Sequence, residues 1–207
     1  QEHGTRKPIW ATETGYYGLD EFPYLPWRAP VDDFATNRLL QSEQQCGDYI
    51  VRYSTILLAH GVDKIFWHEP IAGDANEAVR DAENVFIGPS GVPKKAYAAL
   101  SALANVLDEA PVFAGQWPVP SQIAGQSAAQ VHGYAFASGD HSVLIAWAVA
   151  GAADWQIAWP EGAQALNITG APLAGRAAKL SESPVYIVSR GLKPGELVSR
   201  CGLSLIK

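Results

Sequence analysis

Lys7-Pro8-Ile9-Trp10-Ala11-Thr12-Glu13-Thr14-Gly15 is the stretch whose reading decides the fold. Pro8 to Thr12 is a short apolar run, and it leads into Glu13 and Gly15. That pattern predicts a buried strand that stops at its C-terminal end. Downstream, Tyr16 to Asn37 is rich in glycine, proline and aromatics and has no periodicity. It reads as a long ordered loop, and loops of that length are usually functional. Ser42 and Gln45 fit a capping box that opens a helix. Cys46, Ile50, Tyr53 and Leu57 follow at helical spacing, and Gly61 stands where a terminating glycine belongs. Asp63 to Trp67 is a second short strand, followed by another long loop from His68 to Pro93. Pro93 opens a helix through Leu107, with Tyr97, Leu100, Leu103 and Leu107 on one face.

The order is strand, long loop, helix, strand, long loop, helix. Parallel α/β barrels distribute their connections this way, with functional loops after strands. Beyond Asp108 the texture changes. Short β-type runs cover Val131–Ala137, Ser142–Ala150, Trp155–Trp159, Ala165–Ile168, Val185–Ser189 and Glu196–Ile206. Turn signals such as Ser138-Gly139-Asp140 and Lys193-Pro194-Gly195 separate them. Such spacing predicts an antiparallel β-sandwich. The expected fold class is α/β plus all-β: residues 1–109 as a partial (β/α)8 segment, then residues 110–207 as the sandwich.

Composition narrows the function. The chain has 207 residues, net charge −6 and seven tryptophans, with 17% charged residues. An acidic chain without clustered lysine and arginine lacks the positive patch that phosphate contacts need, so nucleic acid is not an expected partner. No apolar run reaches the roughly 18 residues of a membrane span. Cys46 and Cys201 read as two buried thiols, with a disulfide as the alternative in a secreted protein. No Cys/His cluster has metal-site spacing, and no cofactor is expected. Methionine is absent. We read that as a processed or excised chain whose missing part lies upstream.

The opening stretch resembles the seventh strand of clan A glycoside hydrolases, where a Thr-Glu pair ends the strand. Tyr49 to Trp67 (YIVRYSTILLAHGVDKIFW) is similar to the helix and strand that follow, especially in xylosidase- and iduronidase-like members. Val85 to Tyr97 (VFIGPSGVPKKAY) is similar to their eighth-helix entry, and Ser183-Pro184-Val185-Tyr186-Ile187 to the closing strand of their sandwich. The resemblance implies a retaining glycosidase acting on β-glycosides or plant polysaccharides, in a secreted or periplasmic setting. It implies Glu13 as nucleophile; a helix-cap or salt-bridge glutamate is the plainer alternative. A retaining enzyme also needs a carboxylic acid about 5 Å from the nucleophile. The clan carries it at the end of strand four, which this chain lacks.

Trp67-His68-Glu69-Pro70 resembles the clan's Trp-Asn-Glu-Pro acid/base motif, which makes Glu69 a candidate acid/base. The alternative is an ordinary loop glutamate. Trp67, His68, Trp27 and Tyr17 are candidate substrate contacts; for Trp67 the alternative is a rim side chain plugging the mouth. Asp74 to Asn84 is acidic but lacks calcium-loop spacing. A rival function is a carbohydrate-binding sandwich, in which Trp155 and Trp159 share one strand face as a platform and Trp147 is core. A further rival is assembly. Two barrel strands cannot close a barrel, so the chain would pair with the missing upstream portion or another copy.

Overall fold

The structure, a computed structural model, describes residues 7–14, 17–18, 39–40, 42–67, 86–87, 91–149 and 153–206, with backbone alone at 13, 17, 18, 39 and 40. Strand β1 (Trp10–Thr14) and strand β4 (Lys64–Trp67) pair in parallel. Helix α1 (Glu43–Ala59) lies between them in sequence, and helix α2 (Lys95–Leu107) comes after β4. A parallel pair requires a crossover connection, and α1 supplies it. Two short strands, β2 (Tyr17–Gly18) and β3 (Leu39–Leu40), also pair in parallel.

The ends of α1 follow the sequence reading. The Ser42 hydroxyl accepts from the Gln45 backbone N–H at 3.2 Å. Gly61, at φ 86°, takes the left-handed conformation that ends the helix without a Cβ penalty. Helix α2 differs from expectation. Pro93 lies outside it, in an isolated bridge to Ile87. Its buried face is Ala96, Ala99, Ala102, Leu103, Val106 and Leu107, while Tyr97 is exposed. The small alanines are buried because α1 lies close: a Cβ added to Gly47 would stand 3.3 Å from that of Ala99.

The remaining chain forms two packed antiparallel sheets. One contains β11 (Ala163–Leu166), β13 (Val185–Ser189), β9 (His141–Ala148), β8 (Val131–Ser138) and β5 (Val112–Gln116), in that spatial order. The other orders β12 (Ala177–Lys179), β10 (Trp155–Ala158) and β14 (Gly202–Leu205). A small hairpin joins β6 (Gln122–Ile123) to β7 (Gln126–Ser127). The expected strand over Glu196–Ile206 is corrected: helix α3 (Pro194–Arg200) precedes β14. Pro194 occupies the first helical turn, and the Lys193 N–H donates to the Glu196 carboxylate at 3.0 Å. Proline followed by a glutamate reaching back is a helix start, not only a turn.

Alternate residues of β8 and β9 enter two cores. Ala135, Leu144 and Ala146 join Trp155, Ile157 and Leu197 between the sheets. Phe136, Val143, Ile145 and Trp147 join Val51, Ala99, Leu103 and Tyr186 against the helices. The central strands are therefore buried on both faces, which explains their nearly unbroken apolar sequence. Each such large side chain is worth roughly 1.5–3 kcal/mol of burial. The helices and the five-stranded sheet share one apolar cluster, so α1 and α2 stand on the sandwich itself.

Candidate active site

β1 and β4 run the same way, so their C-terminal ends lie at one end of the pair. Trp10 registers with Lys64, Ala11 with Ile65, and Thr14 with Trp67. The register shifts between Ala11 and Thr14, leaving Thr12 and Glu13 against Phe66 alone. Two residues opposing one is a bulge, a local kink found often beside active sites. Glu13 is thus the penultimate residue of β1, one step before the buried Thr14. The Glu13 backbone therefore lies about one strand spacing, ~4.8 Å, from β4.

The two faces of β4 differ. Trp67 is half-buried and packs edge-on to Tyr53 (5.8 Å between ring centres) and Phe86 (6.2 Å). Its neighbours include Cys46, Ile50 and Ala96 of the helices. The other face carries Trp10 and Phe66, 5.9 Å apart and each about half exposed (50% and 46%). The Lys64 ammonium lies 5.0 Å from the centre of the Trp10 ring. Sequence reading missed this pair. The signal was available in the period-two alternation of Lys64 and Phe66 against Ile65 and Trp67.

Of the other candidates, Tyr17 lies in β2, its backbone registered with Leu39. Glu69, His68 and Trp27 lie outside the described residues, as does the acidic stretch Asp74 to Asn84. Among the described residues no group of three or more His, Cys, Asp or Glu side chains could hold a metal ion. No described helix is long and apolar enough to cross a membrane.

The sandwich offers no aromatic platform at the positions expected of one. Trp155 and Trp159 are buried between the two sheets, which corrects the reading of them as a surface platform. Both rings complete the inter-sheet core, because β10 is the central strand of its sheet and that sheet's inner face is covered by the five-stranded one. Trp117 is buried in the same core, and Trp147 is core as expected, on the side that faces the helices. His132 stacks on Trp147 at 5.5 Å. Burial, with a smaller contribution from Arg52, pushes its pKa down. His141 contacts the Val106 carbonyl at 2.8 Å and Asp140 at 3.1 Å, and so ties the β8–β9 hairpin to the end of α2. Both cysteines are buried and neither is in a disulfide, and burial raises the Cys201 thiol to about 12.

A charged group sits where α1 meets the sandwich. Asp48 is buried and accepts from the Gln44 amide at 3.0 Å. It is also bonded to the Ser183 side chain. Arg52, one turn on, donates to the Glu182 carbonyl, and its guanidinium lies 5.4 Å from the centre of the Tyr49 ring. Burial raises the Asp48 pKa against the opposing effects of Ser183, Gln44 and Arg52.

No family model and no curated protein matches the sequence. Solved structures do match. A family 39 glycoside hydrolase from Bacteroides cellulosilyticus WH2 aligns at TM-score 0.58 and 14% identity, covering 91% of this chain and 35% of that one. A family 30 endoxylanase from Clostridium papyrosolvens C71 aligns at TM-score 0.52 and 14% identity, covering 88% and 42%. A family 30 subfamily 8 xylanase from Clostridium acetobutylicum aligns at 0.53 and 10%, covering 90% and 46%. The fold is that of part of a family 39 or family 30 glycoside hydrolase, and the chain spans less than half the length of each.

Proposed function

We propose that this chain is the C-terminal part of a retaining glycoside hydrolase. In this reading residues 1–109 are the last two strand–helix units of a (β/α)8 barrel, and residues 110–207 are its accessory sandwich. The observation that carries it is the parallel β1–β4 pair, with Glu13 at the C-terminal end of β1. Catalytic groups of such barrels stand at that end of the strands. Glu13 is the nucleophile that attacks the anomeric carbon, and the substrate is a β-linked glycoside. Xylan is the first polymer to test, because two of the structural matches are described as xylanases.

Retention needs a second carboxyl group about 5 Å away. One candidate is Glu69, two residues beyond β4. The other is a residue of the missing upstream barrel portion. The half-exposed Trp10–Phe66 face favours the second source, since a pair of large apolar rings left exposed on a sheet face calls for a partner. That partner is the upstream portion or another copy of the chain. Trp67, His68, Trp27 and Tyr17 are proposed substrate contacts, and the parent protein is proposed to be secreted or periplasmic.

The test is hydrolysis of aryl β-glycosides and xylan by the chain, alone and joined to an upstream barrel portion, beside Glu13→Gln and Glu69→Gln. Loss of activity in Glu13→Gln is expected. Full activity in that variant refutes the nucleophile assignment. Activity of the lone chain that is lost in both variants makes Glu69 the acid/base.

A further inference from the structure

Helix α1 has two working sides. One holds the strand pair: Cys46, Ile50 and Tyr53 pack around Trp67 and Phe86. The other meets the turn between β12 and β13, where Asp48 and Arg52 lie. The two are four residues apart, one helical turn, so they share a face. Arg52 reaches the Glu182 carbonyl and comes within 3.9 Å of the Glu182 carboxylate. The Gln44 amide donates to Asp48 at 3.0 Å and to the Ser183 hydroxyl at 3.1 Å. The Tyr186 side chain is fully buried in β13, and burial, with a smaller contribution from Asp48, raises its pKa.

This group is a poor source of stability. Burial works against the charged forms of both Asp48 and Arg52. Arg52 Nε and the Tyr186 hydroxyl are buried with no partner among the described residues. A buried ionic group that is not fully satisfied rarely outperforms apolar packing of similar volume. The adjoining apolar seam, with Val51, Ala99 and Leu103 against Phe136 and Ile145, supplies the adhesion. Apolar contact is non-directional, whereas a paired charge is satisfied in one register.

We propose that Asp48 and Arg52 form a charge clasp that seats the sandwich on α1 in one orientation and, through α1, holds Tyr53 against Trp67. The clasp makes the sandwich a positioning device for the end of β4. Its bearing on catalysis rests on the glycosidase reading; the clasp itself does not.

The test is a double-mutant cycle on the full chain with Arg52→Met, Asp48→Asn and the pair. It is read by urea unfolding and by the indole N–H signals in two-dimensional NMR, with Trp67 assigned from Trp67→Phe. Arg52→Met removes the cation that acts on the buried Asp48 carboxylate and leaves it only the Gln44 amide and the Ser183 side chain, so its folding constant is expected to fall about 100-fold. Adding Asp48→Asn is expected to recover at least about tenfold of that loss, the coupling typical of residues in one network. In the folded double variant the Trp67 signal moves and that of Trp155, between the sheets, does not. Additive effects overturn the clasp. Coupled effects with a stationary Trp67 overturn the transmission through α1. If Arg52→Met fails to fold, Arg52→Lys replaces it, keeping the charge but losing the fork, and the same two readouts decide. Glu13→Gln tests the catalytic reading and is expected to leave this cycle unchanged.

Discussion

Gly133→Ala sets two opposing effects against each other in the middle of β8. Alanine restricts the unfolded chain and suits a strand better than glycine, a gain of roughly 0.5–1 kcal/mol. Space opposes it. A Cβ at Gly133 would lie 2.7 Å from the Trp117 Cβ, 3.0 Å from its Cε3 and 3.3 Å from the Leu144 Cδ1. Carbon contacts are optimal near ~3.5 Å or more, so the first is short by about 0.8 Å. Trp117 cannot easily withdraw: it is buried, and its N–H donates to the Gly133 carbonyl at 2.9 Å. Overpacking of this kind costs about 1–3 kcal/mol. The clash wins, for a net loss of about 1–2 kcal/mol. In a chain of this size that lowers Tm by about 2–8 °C. Urea unfolding and calorimetry of both forms measure it. In a Trp117→Ala background the clash is gone, and the same substitution is expected to be neutral or slightly stabilising. An unchanged or raised Tm in the Gly133→Ala single variant would refute the reasoning, because Trp117 would then be free to move.

Other expectations are simpler. Gly195→Ala, in α3 where an added Cβ meets nothing within 4 Å, should stabilise by about 0.4–1 kcal/mol, seen as a higher urea midpoint. The folded pKa of Asp48 is raised, so the folded state holds this proton more tightly than the unfolded state. Its contribution is fully present below the ordinary value of 3.8 and is lost as pH rises through the folded pKa. The stability of Asp48→Asn relative to the parent should therefore improve as pH rises through that window, measured by urea midpoints at a series of pH values. Cys46 and Cys201 are buried, so a thiol reagent should label both only as fast as the chain opens, and at once in denaturant. Glu196→Ala removes the carboxylate that accepts from the Lys193 N–H, which should cost about 1 kcal/mol, read as a lower Tm.

Much of the fold was legible because it rests on local chemistry. The Ser42 cap and the Gly61 stop need only neighbouring backbone groups, and both stand as read. The strands from Val131 to Ala148 and from Val185 to Ser189 carry apolar runs that no helix period explains. The helix at Pro194 was a local signal misread as a strand, whereas two other errors share one cause, the identity of the partner surface. Helix α2 buries Leu103 and Leu107 as read, but it exposes Tyr97 and buries Ala99, which lies against Gly47 of α1. Trp155 and Trp159 looked available because a strand pattern does not say which face another sheet will cover. At the candidate site the sequence pointed to Glu13 by its motif and did not reveal the bulge that leaves Glu13 unpaired with Trp67.

By itself, then, the sequence determined the strand–helix order of the first half, the central sandwich strands and the position of Glu13 at a strand end, since these follow from periodicity, caps and turn residues within a few positions. Only the tertiary structure decided which faces are covered. It turned the five-stranded sheet into a layer buried on both sides, sent the sandwich tryptophans inward and left Trp10 and Phe66 half exposed. It also brought Asp48 and Arg52 to a loop more than a hundred residues away in sequence. Burial is a property of pairs of surfaces, and the pairing is written in no single segment.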